Sequence, residues 1–232
     1  MNLLAIETSS PTLSVAIKRT GAKLRHATVA GYMKHAENLL PAIDRLLKKE
    51  KLKIGDIDAF LISRGPGSFT GLRIGFATLK GLLAIRPKPC YGAFSLDVIA
   101  AGIRPTKSRP LQSTNLTVCL DARRGKLYTR SYRYHKKRWT PCGPSRGVLS
   151  NAMSSDLPPE SWIVGDGLAK IGTKSPATAL EKNGVPQAAT LIELFEMKDP
   201  LLKRLKHPKE FLPAYLRRSE PEERLLERKK NV

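Results

Sequence analysis

The sequence predicts an α/β protein of two lobes, each a mixed sheet flanked by helices, with the second lobe reduced. Three observations carry that prediction. Short apolar runs alternate with longer stretches of helical periodicity. An apolar strand closed by an acid, a polar turn and a returning strand occurs twice, around Glu7 and around Asp121. Between the two units lies Arg104-Pro105-Thr106-Lys107-Ser108-Arg109-Pro110, a segment of breakers and charge that marks a boundary. The divisions drawn from these signals are 1–103 for the first lobe, 104–215 for the second and 216–232 for a charged tail.

Taken in order, Leu3-Leu4-Ala5-Ile6 is a first strand, Glu7-Thr8-Ser9-Ser10-Pro11 a turn, Leu13-Ser14-Val15-Ala16-Ile17 the returning strand, and Gly21 a second turn, which together make a meander. From Ala36 to Lys49, Leu39, Leu40, Ile43, Leu46 and Leu47 recur at helical spacing, and Lys48 and Lys49 suit the C-terminal end of the dipole. Pro41 is tolerable in that helix only near its start. Ala59-Phe60-Leu61-Ile62 is a short buried strand, and Phe69 to Leu83 is a helix, so the first lobe runs β-β-β-α-β-α. In the second lobe, Asn115 to Leu120 is a strand entering the turn at Asp121-Ala122-Arg123-Arg124-Gly125, Lys126 to Tyr132 returns, Trp162-Ile163-Val164 ends at Gly165-Asp166-Gly167, and Ala188 to Met197 is a helix.

Composition narrows the function classes. No apolar run approaches the length of a membrane span, and the start reads as a strand rather than a signal peptide. Cys90, Cys119 and Cys142 fit neither a disulfide framework nor a zinc site, so a reducing cytoplasm is the expected setting. The 41 Lys and Arg against 20 Asp and Glu give a net charge of +21. More than half of that surplus lies in residues 101–150, which hold 12 cationic groups and one acid. There Arg123, Arg124, Lys126, Arg130, Arg133, Lys136, Lys137 and Arg138 interleave with Tyr128, Tyr132, Tyr134 and Trp139, a pattern that can hold a phosphate backbone and stack on bases. A solvated strand pair with cationic outer side chains explains it equally well.

The loop Ser63-Arg64-Gly65-Pro66-Gly67-Ser68-Phe69-Thr70-Gly71-Leu72-Arg73-Ile74-Gly75 joins a strand to a helix, a place where backbone N–H groups often hold phosphate. Its glycine spacing fits neither the Walker loop nor the dinucleotide fingerprint. Gly71 and Gly75, one turn apart beside the Leu72, Phe76, Leu79 and Leu83 stripe, let another helix come close, although a stripe of this kind is by default core. Arg64 and Arg73 either hold an anion or an acidic partner or form surface ion pairs. His35 reads as a helix-start residue making local hydrogen bonds.

Acid-terminated strands repeated in two lobes suggest the actin-like ATPase (ASKHA) fold. Glu7-Thr8-Ser9, His35-Ala36-Glu37-Asn38-Leu39-Leu40-Pro41, the 64–75 segment, Leu120-Asp121-Ala122-Arg123-Arg124-Gly125, Gly165-Asp166-Gly167 and Pro213-Ala214-Tyr215-Leu216-Arg217 stand in the order found in the bacterial TsaB (YeaZ) family, which the chain closely resembles. The resemblance implies a non-catalytic subunit of tRNA threonylcarbamoyladenosine biosynthesis. Such a subunit pairs with the transferase TsaD, is joined by the ATPase TsaE, and reaches tRNA through the complex. It implies pairing through the first-lobe helices, at His35, Leu39, Arg64, Gly71, Leu72, Arg73, Gly75, Phe76 and Leu79, a face on which a homodimer can form when the chain is alone. Glu7, Thr8, Asp121 and Asp166 fall at turns where actin-like ATPases hold nucleotide, and the first turn, without glycine, reads as vestigial.

The catalytic paralogue's metal-binding pair of histidines four apart is missing, since His26, His35, His135 and His207 lie far from one another in sequence. No metal, cofactor or catalytic residue is therefore assigned. Lys126 departs from the acid that many relatives carry there. Two other classes stay open: a glycoprotease-type peptidase using Ser68 or His35, and a stand-alone tRNA-binding module using Arg123, Arg124, Lys126, Arg130, Lys136, Lys137 and Arg138.

Overall fold

The computed structural model describes residues 1–30, 34–104, 115–155, 161–171, 178–180 and 184–216. Its first sheet begins as an antiparallel meander of β1 (Leu3–Glu7), β2 (Thr12–Lys18) and β3 (Arg25–Ala30). Parallel strands β4 (Ala59–Ser63) and β5 (Cys90–Ala93) extend it beyond β1. The second sheet repeats the plan with β6 (Asn115–Asp121), β7 (Lys126–His135) and β8 (Arg138–Pro141), then parallel strands β10 (Trp162–Val164) and β11 (Thr178–Leu180), while β9 (Arg146–Leu149) pairs with β7. The order β5-β4-β1-β2-β3 in one sheet matches β11-β10-β6-β7-β8 in the other. This duplicated order is the two-lobed actin-like fold that the sequence predicted.

In the first lobe α1 (His35–Lys49) and α2 (Phe69–Ile85) fill the connections around β4. The corresponding stretches of the second lobe carry only short 3-10 turns at Ser150–Ser155 and Asp166–Lys170 among the described residues, which is the reduction expected. Helices α1 and α2 cover one face of the first sheet, packing Leu39, Ile43, Leu46, Phe76 and Leu79 against Leu4, Ile6, Val15 and Ile62. Helix α4 (Ala188–Glu196) covers the other face through Leu191, Ile192 and Leu194 against Leu3, Ala5, Ala16 and Leu61. Burial on both faces explains why β1 and β4 read as unbroken apolar runs rather than alternating ones. Pro41 sits in the second turn of α1, deeper than the sequence suggested, on the exposed side of the helix. Leu40, assigned to the apolar stripe, is also outside it, at 55% exposure.

The chain crosses between lobes twice. Helix α3 (Ser95–Gly102) belongs to the 1–103 segment but packs Leu96, Ile99 and Ala100 into the second core, with Leu116, Val118, Tyr132, Trp139 and Trp162. Conversely α4 and the edge strand β12 (Lys203–Arg204), which pairs with β5, return to the first sheet. A single cut at 103 therefore does not separate the packed units, because each sheet needs a helix from the other side of the cut. The proline-rich segment from 105 onwards and tail residues 217–232 lie outside the described residues. No helix among the described residues is long and apolar enough to cross a membrane.

Candidate functional site

The glycine loop and the turn after β1 form one packed unit. Ser68 caps α2, its Oγ accepting from Gly71 N at 3.1 Å, and its own N–H donates to Ser9 O at 2.6 Å. A Cβ at Gly67 would lie 2.1 Å from Ser9 O, one at Gly71 2.1 Å from Thr8 O and one at Gly75 2.4 Å from Thr8 Oγ1. The close approach read from Gly71 and Gly75 is therefore real, but the chain's own turn fills it, and no second helix enters there. Glu7 is fully buried, and burial pushes its carboxyl up against the pull of hydrogen bonds from Ser9, whose N–H donates to Oε1 at 2.5 Å. Backbone of Thr8 and Ser9 thus occupies the space under the glycine loop.

At the second turn Asp121 N–H donates to Asp166 Oδ1 at 2.8 Å, and Lys170 Nζ reaches Asp121 Oδ1 at 2.8 Å. Partial burial pushes Asp121 up, but Lys170 and Arg123 outweigh it and hold the carboxyl below its ordinary value. Burial raises Asp166. Among the described residues no three His, Cys, Asp or Glu side chains cluster as metal ligands. Burial also lifts the Cys90 and Cys119 thiols to about 12, so neither is a thiolate at neutral pH.

The residues predicted to meet a partner divide in two. Leu39, Leu72, Phe76 and Leu79 are buried in the first lobe, as are Gly71 and Gly75, so none of these six presents a side chain to a partner in this structure. Their helical spacing was read correctly, but the stripe faces the sheet. His35 is buried too, at the start of α1, but its Nε2 lies 2.9 Å from Ser10 O, 25 residues earlier on the β1–β2 turn, so its contact is not the local one expected. Arg73 remains exposed, its guanidinium 3.9 Å from the Phe69 ring centre and its Nε donating to Tyr215 Oη at 3.4 Å. Phe69 and Tyr215 pack at 4.8 Å, and Ala214 N donates to Arg64 O at 2.7 Å, so the 213–216 motif is seated over the start of α2. Arg64 is half-buried, 5.9 Å from the Phe94 ring centre. The large apolar side chains that α1 and α2 leave exposed are Leu40 and Ile85. Ser68 and His35, the candidates for hydrolysis, are engaged in the cap and the Ser10 contact respectively.

The basic strip of the second lobe also divides. Arg130 is only 15% exposed and donates from one guanidinium nitrogen to both oxygens of the buried Asp97, at 2.7 and 2.9 Å, while Tyr132 Oη donates to Asp97 at 2.7 Å. Burial pushes Asp97 up against the pull of Tyr132 and Arg130. Arg130 therefore joins α3 to β7 and is not free for a nucleic acid, which corrects its expected role. Tyr132 and Trp139 are core as well, with Trp139 Nε1 donating to Ile103 O at 2.7 Å, so neither is a stacking platform. Sequence gave no sign of Asp97 as the partner. Lys136, Lys137 and Arg138 do stand exposed at the β7–β8 turn, and Arg123 and Arg124 at the β6–β7 turn, with Lys126 half-buried beside them. Lys136 and Lys137 form a two-residue hairpin loop with φ of +49° and +63°, a conformation that usually selects Asn or Gly.

Comparisons with known proteins fit this geometry. The family model described as TsaD, tRNA N6-adenosine threonylcarbamoyltransferase, matches residues 30–181. The tRNA threonylcarbamoyladenosine biosynthesis protein TsaB of Haemophilus influenzae is 28% identical over 227 residues, covering 94% of this chain and 94% of that protein. The Escherichia coli protein of the same name is 33% identical over 132 residues, 57% of this chain and 55% of that protein. The solved structure of YeaZ from Pseudomonas aeruginosa superposes with a TM-score of 0.76 at 24% identity, over 93% of this chain and 99% of that one, and so shares its fold. Residues 30–181, more than half of the chain, match the TsaD family model, so the chain belongs to that family, and within it the chain is similar along nearly its whole length to a protein named TsaB.

Proposed function

We propose that the chain is the non-catalytic subunit of a tRNA threonylcarbamoyl transferase. On this reading it pairs with TsaD, is joined by TsaE, and takes part in moving threonylcarbamoyl from its adenylate to the adenosine beside the anticodon. The name that its relatives carry supports the pathway. The observation that carries the non-catalytic part is the closure of the first turn by Gly67, Gly71 and Gly75 over a buried Glu7. A chain that has filled its own phosphate position offers surfaces, and its role is then to position or stabilise a partner. Pairing falls to the exposed side of α1 and α2, with Leu40, Arg73 and Ile85 as contacts, and a second copy can occupy the same face when TsaD is absent. Arg123, Arg124, Lys126, Lys136, Lys137 and Arg138 are the second-lobe contacts to tRNA.

Co-purification with TsaD of the same organism tests the reading. The double variant Leu40→Asp/Ile85→Asp should abolish pairing while leaving the circular dichroism spectrum intact. Phe76→Asp or Leu79→Asp cannot make this test, since a carboxylate buried in the first core unfolds the lobe. Pairing that survives the double variant places the interface elsewhere. Threonylcarbamoyladenosine made by the purified chain alone from adenylate and tRNA would refute the non-catalytic role.

A further inference from the structure

A cationic concavity lies in the first lobe, where the end of α1 meets the β2–β3 hairpin. It has a volume of about 300 Å³, and its lining includes the cations Arg19, Lys23, Arg25, Lys49 and Lys51 and one acid, Glu50. The Glu50 carboxylate is nearly inaccessible, with 4% of the side chain exposed, and it accepts from Arg25 Nε and from Arg19 Nε at 3.3 Å. The hydrogen bond from Arg25 holds its carboxyl below the ordinary value. Glu50 thereby fixes two guanidiniums whose side chains stay 50% and 57% exposed. Lys23, Lys49 and Lys51 are exposed and have no acidic partner among the described residues.

The helix dipole accounts for cations at the end of α1, but not for three more arriving from the hairpin. Lys51 itself stands where glycine is preferred. Helix α1 closes with Leu52 N donating to Leu47 O at 2.9 Å and Lys51 N to Lys48 O at 3.1 Å, a Schellman pattern that sets Lys51 at φ +55°. The same bias recurs along the chain: the described non-glycine residues with positive φ are Lys51, Arg123, Arg124, Lys136, Lys137 and Lys198, all cationic. Side chains that ordinarily avoid this conformation hold it at turn tips, where a long cation reaches furthest.

We propose that this concavity is a phosphate-backbone site of the first lobe and that tRNA occupies it. The assignment of tRNA rests on the function proposed above. Two pre-oriented guanidiniums match phosphate geometry, and the unpaired lysines around them follow a backbone as point charges. An acidic protein would need an aromatic or large apolar anchor, and the lining offers Ala22 alone. Without an aromatic platform the site reads charge and shape rather than sequence.

The test is fluorescence anisotropy of a labelled tRNA transcript with the full chain, at salt between about 50 and 200 mM. Lys51→Gly should raise the melting temperature by relieving its backbone conformation, and Lys23→Glu should leave it unchanged, so lost binding cannot be put down to misfolding. Together they should weaken binding by on the order of tenfold or more and reduce the salt slope by about 2. A control, Lys203→Glu/Arg204→Glu on β12, should stay within about twofold of wild type if contacts are local. Unchanged affinity in the double variant, an equal loss in the control, or a wild type that does not bind overturns the site. The two readings fail separately. Threonylcarbamoyladenosine that persists when the gene is deleted removes the proposed function and leaves a measured site standing, whereas loss of the nucleoside with binding indifferent to Lys23 and Lys51 removes only the site.

Discussion

Two turns of this protein begin from the same local pattern, an apolar strand ending in an acid, and they end in opposite environments. After β1, Thr8 and Ser9 are almost wholly buried, Glu7 has no exposed surface, and Gly67, Gly71 and Gly75 press directly on the turn. After β6, Arg123 and Arg124 are exposed, a Cβ at Gly125 would meet nothing closer than Ser150 Oγ at 4.0 Å, and Asp121 is met by Lys170 and Arg123. What separates them is the element that follows. The first lobe has α2 and its glycine loop to fold over the turn, whereas among the described residues the second has at the corresponding place a 3-10 turn whose Gly165 and Gly167 press on Cys119 within β6 and not on the turn itself. A duplicated topology therefore fixes where an acid sits without fixing whether it is sealed or solvated.

The contrast breaks most severely where α3 meets the second sheet. Arg130→Ala leaves Asp97 buried with Tyr132 as its remaining side-chain partner, and removing one member of a buried ion pair costs about 3–5 kcal/mol. The chain's two tryptophans, Trp139 and Trp162, both lie in the second core, so tryptophan fluorescence reports that lobe while circular dichroism reports both. The fluorescence transition of Arg130→Ala should precede the dichroism transition. Coincident transitions at an unchanged temperature would mean that the ion pair does not hold α3 to the second sheet.

The seal on the first turn gives the next effect. Gly71→Ala sets a methyl 2.1 Å from Thr8 O, a backbone atom that moves only with the strand, and should lower stability by about 1–3 kcal/mol. Gly125→Ala meets open space and should lose only about 1 kcal/mol, for its φ of +66°. Equal losses in thermal melts of the two variants would show that the first turn is not held by close packing.

Much of this was present in the sequence. The apolar runs at Leu3–Ile6 and Ala59–Ile62 fixed the central strands, since a strand buried on both faces must be apolar throughout. The spacing of Gly71 and Gly75 announced a close approach. What approaches them, Thr8, is more than sixty positions away, and periodicity carries no information about that distance. The same gap misplaced Arg130, which reads as one cation among many because Asp97 stands 33 residues earlier on a helix the sequence reading did not identify. Lys23, Arg25 and Lys51 went unremarked for a related reason. They converge only when the hairpin folds against the end of α1.

The smallest effect sharpens the contrast most directly, because the two acids should respond to pH with opposite sign. Burial raises Glu7 above its ordinary value of 4.5, so between that value and its folded one the native state binds more protons than the unfolded state. Stability then falls as pH rises through that window. Asp121 is held below its ordinary 3.8, so its contribution is complete above that value and is lost as pH falls through the folded one. Glu7→Gln should accordingly gain on wild type as pH rises from acid to neutral, since Gln keeps an acceptor for Ser9 N–H without a charge to bury. Asp121→Asn should do the reverse, matching wild type in acid and falling behind above pH 3.8 by at most about 1 kcal/mol, the usual scale of a partly solvated ion pair. Urea unfolding of the three proteins across this range measures both slopes. Parallel slopes would mean that the two turns share one environment after all, and that the closure over Glu7 does not set its charge.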